Sequence, residues 1–516
     1  MASPERHVRV RATEFSPERL DTGFYSRAYF DTRAAISRSG LKTESIGSVC
    51  EPWQFGAYAL CNDIEWSDAA SGVPYIKAEA LGSPLLNESG LAYVTPSTHR
   101  LLEKSQLKPG DIVVSTSGTI GLCAVLPERL NEANSNQDTI KFNPSSAGYD
   151  CFFVAAWIAS APGQVFLNRE AGGAVQQHVY LYNFKRVPLL KIAAEAQRYI
   201  GDKVRQAERL RERARMLEAA VANIHAQFIV PPTGIDFAKR TRRLAARSLT
   251  ERLDAHFYPS AVEQYFRQLG GPTRSLERLC SLVVNGQSQP EAEEGVRQAT
   301  VTNLGRSFVE GTLRIVERPA DGSRALAPHD LLLCNAAHNK SYIGRDVTYS
   351  QVEGPYPSTE VMVVRVDRTQ IPASFVRHYL KTAIGYLQVQ STIRGITAHS
   401  YPTDVKLLEI PIPAVPDVDR EAWFATDDQM LAAGRCFDAA RVLASVATTL
   451  VEHLIDGRIN EADLVAAQKA LEAGDRSPDR EILKAIQQSD APDAKPLIAD
   501  VDALYALLDE PDGQDA

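Results

Sequence analysis

The chain has 516 residues, of which 44% are hydrophobic and 23% charged, enough apolar sequence for two to four folded cores. Its net charge of −8 is localised: from Gly457 to the end, 14 acidic residues face 6 basic ones, so residues 1–456 are neutral. This excludes a uniformly basic coat but leaves the main body open to a nucleic-acid partner.

Residues 1–45 open on a basic arm (Arg6, Arg9, Arg11) with no apolar stretch of a signal peptide behind it, and no apolar run reaches the length of a membrane span. The seven cysteines are scattered without a C-x-x-C, the pattern of free buried thiols in a reducing compartment. After the arm comes Glu18-Arg19-Leu20-Asp21, then Phe24-Tyr25 and Ala28. Short β-like runs follow, broken by turn residues: Pro74-Tyr75-Ile76-Lys77, Ile112-Val113-Val114-Ser115 after Pro109-Gly110-Asp111, Leu122 to Leu126 after Gly118-Thr119-Ile120-Gly121, and Thr139-Ile140-Lys141-Phe142. An apolar helix is predicted near 152–160. A turn at Ala171-Gly172-Gly173 then leads to Gln176-Gln177-His178 and a strand ending at Val187-Pro188.

Residues 192–228 read as one long amphipathic helix. Its seam, at alternating steps of three and four, is Ala193, Ala196, Ile200, Lys203, Ala207, Leu210, Ala214, Leu217, Val221, Ile224 and Phe228, apolar except at Lys203. Pro188 precedes it and Pro231-Pro232 stop it. At 1.5 Å per residue it is about 50 Å long, and such a helix needs a partner.

At an offset of 233 the opening pattern recurs as Glu251-Arg252-Leu253-Asp254, Phe257-Tyr258 and Ala261, again behind a basic arm (Lys239, Arg240, Arg242, Arg243, Arg247). An internal repeat sets the fold expectation before anything else. The second half then runs in the same order. His329-Asp330 precedes Leu331 to Asn335, Ser341-Tyr342-Ile343-Gly344 stands for Gly118 to Gly121, Val361 to Val364 for the Thr139 strand, and 375–387 for the apolar helix. Arg394-Gly395-Ile396-Thr397-Ala398-His399 stands for the turn ending at His178, and Ile410-Pro411 for Val187-Pro188. A second long helix is predicted over 421–456, with the seam Met430, Ala433, Phe437, Ala440, Ala444, Ala447, Val451 and Leu454. Short helices at 461–472 and 480–487 and a mobile acidic tail from Ser489 complete the chain.

The motifs of several enzyme classes are missing. There is no G-x-x-x-x-G-K-[ST], no G-x-G-x-x-G, no H-E-x-x-H or Cys/His cluster, and no [DNS]-P-P-[FYW] to hold an amine for methylation. No G-x-S-x-G frames Ser115 or Ser117, which read as strand-end and turn serines. No catalytic or metal-ligating residue is assigned, and the pattern favours a binding protein.

The order of these parts resembles the specificity (S) subunit of type I restriction–modification systems. The resemblance rests on Pro74-Tyr75-Ile76-Lys77, the GDIVVSTSGTIG run from Gly110 to Gly121, the turn with Gln176-Gln177-His178, Val187-Pro188 before a long helix, and one repetition of the whole. It covers about residues 15–456; His329 in place of glycine and the stretch from Asn335 to Ser341 depart from the pattern. It implies an α+β chain with two similar target-recognition domains of mixed strands and helices, 1–190 and 231–415. They are separated by two long helices, 191–230 and 416–457, forming an antiparallel coiled coil, with a tail at 458–516. It further implies a non-catalytic chain in a bacterial or archaeal cytoplasm. Such a chain reads a gapped double-stranded DNA target, docks methyltransferase (M) subunits on the long helices and is joined by motor-nuclease (R) subunits. It binds no cofactor itself, AdoMet and ATP belonging to the partners. A 50 Å spacer corresponds to about 15 base pairs of duplex. The alternative is a DNA-recognition adaptor of another phage-defence or methylation complex; an enzyme and a bare coiled-coil scaffold fit less well.

DNA contacts are expected from polar and basic residues at turn tips. In the first half these are Lys77, Ser117, Thr119, Gln176, Gln177 and His178; in the second, Asn335, Asn339, Lys340, Ser341, Arg394, Thr397 and His399. Glutamine can pair bidentately with adenine and arginine with guanine. The basic arms are candidates for phosphate contact.

Overall fold

The structure is a computed structural model that describes residues 8–55, 58–173, 176–239, 241, 243, 244, 249, 252–487 and 496–510. Arg6, Arg240, Arg242 and Arg247 of the basic arms, and Glu251 of the second motif copy, lie outside the described residues. The chain is 44% helical and 18% strand, a mixed α and β composition. It divides into two compact units, one of residues 1–211 with 438–511 and the other of 212–437 with 512–516. Among the described residues no single helix is long and apolar enough to cross a membrane.

The first unit is built on two four-stranded sheets. In one, β2 (Trp53–Gln54), β9 (Thr139–Phe142), β6 (Ile112–Ser115) and β7 (Cys123–Val125) lie side by side in that order. In the other the order is β4 (Ala92–Val94), β3 (Val73–Ile76), β8 (Ala133–Ser135) and β5 (Gln106–Leu107), with β3 and β8 parallel. Every residue of β6 and β9 is buried, the apolar Ile112, Val113, Val114, Ile140 and Phe142 together with the polar Ser115, Thr139 and Lys141. Helix Cys151–Ala159 buries seven of its nine residues and so forms part of the core, not its surface. Asp150 caps it through the amides of Phe152 and Phe153. A short ribbon of β1 (Lys42–Ser45) and β10 (Pro188–Lys191) closes the lobe.

The second unit repeats this plan. Its four-stranded sheet runs β12 (Cys280–Asn285), β19 (Val361–Val366), β15 (Leu331–Cys334), β17 (Val347–Tyr349). A smaller sheet runs β14 (Arg314–Val316), β13 (Glu291–Ala299), β18 (Tyr356–Pro357), again with one parallel pair. The closing ribbon is β11 (Thr273–Ser275) with β21 (Glu409–Pro411). The predicted helix over 375–387 is two helices, Ala373–Leu380 and Ala383–Ser391, as in the first unit, where Ala161–Arg169 follows Cys151–Ala159. In each pair a hydroxyl starts the second helix: Ser160 accepts from the Gly163 amide and Thr382 from the Gly385 amide. Both glycines are held by contact, since an added Cβ would meet the carbonyl of Trp157 at 1.9 Å or that of Tyr379 at 2.2 Å.

The correspondence expected between Val187-Pro188 and Ile410-Pro411 is displaced by two residues. The Ile46 amide donates to the Val187 carbonyl and the Leu276 amide to the Leu408 carbonyl, both at 2.9 Å. Backbone pairing, not the proline, fixes the register. His329 does occupy the place of Gly110. Both have positive φ, 73° and 87°, and the following aspartates cap the turn identically, Asp111 Oδ2 accepting from the Lys108 amide and Asp330 Oδ2 from the Ala327 amide at 2.8 Å. The side-chain bond from His329 Nδ1 to the Tyr349 hydroxyl, 2.6 Å, helps hold a residue with a Cβ in that conformation.

The long helices span Ala194–Ala226 and Asp417–Asp456, 33 and 40 residues. Within the first unit the seam residues Ala196, Ile200, Lys203, Ala207 and Leu210 are buried, as are Ala440, Ala444, Ala447, Val451 and Leu454. The one polar seam residue has a mate outside both helices: Lys203 Nζ lies 2.6 Å from Asp479 Oδ1, with both side chains almost wholly buried. Asp479 sits on helix Ser477–Ala485, after helix Glu461–Glu472, and also accepts from the hydroxyls of Tyr199, at 2.6 Å, and Tyr505. Tyr505 belongs to a helix, Val501–Asp509, inside the stretch expected to be mobile. Its acidity is matched: Asp509 pairs with Arg476 and Asp502 with Arg480, and both guanidinium groups lie against the Tyr505 ring. Residues 488–495 and 511–516 of the expected tail lie outside the described residues.

Candidate nucleic-acid interface

The repeated motif has a structural task in both units. Arg19 reaches the end of helix Ala161–Arg169 and donates to the carbonyl of Ala171 at 2.6 Å; Arg252 reaches the end of helix Ala383–Ser391 and donates to that of Thr392 at 3.0 Å. A cation at a helix C-terminus meets unsatisfied carbonyls there. The motif aspartate orients each arginine, Asp21 at 2.7 Å and Asp254 at 2.8 Å. The motif phenylalanine packs under each guanidinium, and the motif tyrosine donates its hydroxyl back to the arginine carbonyl. Pairing with Asp21 raises Arg19 and lowers the Asp21 carboxyl, which stays ionised.

From each clamped helix end a tight turn departs. In the first unit Gly172 and His178 exchange backbone hydrogen bonds at 2.9 and 2.8 Å; in the second, Arg394 and His399 do so at 2.8 and 3.1 Å. Each turn then pairs with the loop after the central strand. Ser117 bridges to His178, and the second unit forms a two-stranded ribbon of β16 (Ala336–Ala337) and β20 (Ala398–His399). The same two loops thus meet in both halves.

In the first unit this junction gathers Ser117, Thr119, Gln176, Gln177 and His178. Thr119, Gln176 and Gln177 are exposed, and His178 is half-buried with Nδ1 hydrogen-bonded to the Ser117 hydroxyl. Burial lowers the His178 imidazole, so at neutral pH it is an uncharged donor and acceptor, not a phosphate-binding cation. Lys77 stands at the end of β3, its Nζ 4.4 Å from the centre of the exposed Trp66 ring.

In the second unit the expected residues divide. Asn335 is buried, its amide donating to the Thr359 carbonyl, so it frames the site and presents nothing. Asn339 Oδ1 accepts from the Ser341 amide and hydroxyl, a local cap, while Lys340 is exposed. Arg394 is held by Asp404 through two bonds from one guanidinium edge, Nε and Nη2, and raised by that pairing; it braces the turn. Thr397 is exposed at the tip and His399 is half-buried at the base.

Exposed aromatic and apolar residues at these junctions escaped the sequence reading. Tyr180 and Tyr401 each follow the matched histidine by two residues and are 49% and 45% exposed; Tyr182 stacks on Tyr180 at 5.8 Å, and Ile396 is 101% exposed. The H-x-Y pattern at 178–180 and 399–401 was the available signal.

No protein-family model matches the chain, and no curated protein matches it. Among solved structures it is similar to a type I restriction-modification system S subunit from M. genitalium, at 10% identity and a TM-score of 0.41, over 81% of this chain and 96% of that one. It is similar to an HsdS subunit from Thermoanaerobacter tengcongensis at 14% identity and a TM-score of 0.26, over 81% and 97%. A chain from a structure on complex assembly and conformational transition of the type I R-M system aligns at 14% identity and a TM-score of 0.27, over 81% and 98%. The first two are S subunits by their descriptions, and the third comes from a type I R-M system.

Proposed function

We propose that the chain is the DNA sequence-specificity subunit of a type I restriction–modification complex. Two target-recognition domains, residues 1–190 and 231–415, read the unlike halves of a gapped duplex target. The helices over 191–230 and 416–457 pack as an antiparallel coiled coil that sets the distance between the readers and docks the M subunits, with R subunits joining for cleavage. AdoMet and ATP bind those partners, and this chain positions them without supplying a reacting group.

The observation that carries this reading is a duplication at the level of individual hydrogen bonds. Clamp, helix end, closed turn and facing loop recur in each unit with corresponding bonds, while exposed side chains of the turns differ: Gln176 and Gln177 in one, Ile396 and Thr397 in the other. A kept frame with changed tips fits two readers of different sequences. Two linked readers gain affinity only when their spacing matches the target.

The test is to co-express the chain with the reading frames beside its gene and map modified bases by single-molecule sequencing. A two-part motif with a fixed gap is expected, and the chain alone should neither methylate nor cut DNA. A single uninterrupted motif, or AdoMet turnover by the isolated chain, would sink the proposal.

A further inference from the structure

We propose that Ile396 reads a thymine C5-methyl group in the half-site taken by the second unit. The inference rests on the DNA-reading function above and adds a particular base contact to it.

Ile396 is fully exposed, the most exposed of the large apolar side chains among the described residues. On a loose loop such a residue would fold inwards and bury its surface. Here the turn holds it out. Arg394 and His399 close the base with two backbone bonds, and Gly395, at φ 77°, turns the chain between them. Arg394 grips the buried Asp404 with one guanidinium edge, Nε to Oδ2 at 2.6 Å and Nη2 to Oδ1, and Arg252 Nη1 donates to the same Oδ2 at 3.1 Å. On the far flank Ala337 and Ala398 pair within the β16–β20 ribbon, and the Ser400 amide donates to the Asn335 carbonyl at 2.8 Å.

This bracing leaves Ile396 and Thr397 as the side chains at the tip. Isoleucine can neither donate nor accept a hydrogen bond, so it is silent toward phosphates and toward the polar edges of bases. In the major groove one base edge is apolar, the C5-methyl group of thymine. A β-branched side chain on a rigid turn also loses little rotamer freedom when it makes that contact.

The experiment uses the full chain in complex with its co-expressed partners, once the target is mapped. Duplex probes carry deoxyuridine in place of each thymine in turn, which removes the methyl group and nothing else. One such substitution should weaken binding by the wild-type complex roughly four-fold, the effect of one buried methyl group. The Ile396→Ser complex should be indifferent to the same substitution, with unchanged thermal stability. The contact is overturned if the wild type ignores the loss of every thymine methyl, if neither half-site contains thymine, or if Ile396→Ser stays as sensitive as wild type. It is also overturned if Ile396→Ser prevents assembly with the partners, which would assign the turn to a protein contact. A complex that binds no two-part duplex overturns the proposed function and this contact together, so the two failures are distinguishable.

Discussion

Asp404 receives two guanidinium groups: Arg252 from the repeated motif and Arg394 from the turn. One buried carboxylate therefore couples the motif that identifies the repeat to the turn proposed to read DNA. Replacing it by Asn takes away the buried carboxylate that Arg252, itself buried, pairs with, while Asp254 stays in place. Asp404→Asn should lower stability by about 3 kcal/mol, as read from denaturant unfolding, and loosen the second turn. A second residue-scale case is Lys141, wholly buried in β9, whose ammonium donates to the carbonyls of Asn136 and Thr139. Burial lowers its ammonium to about 7 from an ordinary 10.5. Between those values the unfolded chain binds a proton that the folded chain lacks, so stability rises with pH across that window. Lys141→Met should flatten the slope, measured as unfolding midpoints at pH 7 and pH 10; an unchanged slope would assign it to another group.

The C-terminal helices show the same logic at the scale of elements. Lys203 interrupts an apolar seam, and its charge is matched by Asp479, 276 residues further on. Lys203→Met leaves Asp479 ionised and buried, and should cost about 3–5 kcal/mol. Combining it with Asp479→Leu should recover part of that loss, because the buried charge goes but the hydroxyls of Tyr199 and Tyr505 lose their acceptor. Thermal denaturation of the two variants decides it: equal melting temperatures would mean that an unpaired Asp479 carries no penalty. The acidic composition around Val501–Asp509 reads as disorder in sequence because its neutralising partners, Arg476 and Arg480, are read as a separate element. Pairing of Asp509 and Asp502 with them turns the same charges into ties.

At the scale of the whole molecule the proposed ruler makes a numerical demand. Removing one heptad from each long helix shortens the spacer by about 10 Å, or about 3 base pairs of duplex, and the gap in the mapped target should shrink accordingly. An unchanged gap would remove the helices from that role. Gln176→Ala with Gln177→Ala should weaken recognition at one half-site by about 1–3 kcal/mol and leave the other intact, visible as a motif degenerate in one half.

The repeat, most strand runs, the two long helices and the place of most turns were legible in the sequence because each depends on local pattern: identities at fixed spacing, apolar periodicity, glycine where φ is positive; the strand expected to end at Val187-Pro188 instead begins at Pro188, behind helix Leu181–Phe184. Some of the candidate site was legible for the same reason, as at Ser117, His178 and Thr397. Tertiary structure alone decided which polar residues are already engaged. Asn335 and Arg394 have the chemistry of base readers, and only the fold brings Thr359 and Asp404 to occupy them. The mate of Lys203 and the helix at Val501–Asp509 were hidden for a related reason. Hydrogen bonds and ion pairs join groups by distance in space, and a sequence records only distance along the chain.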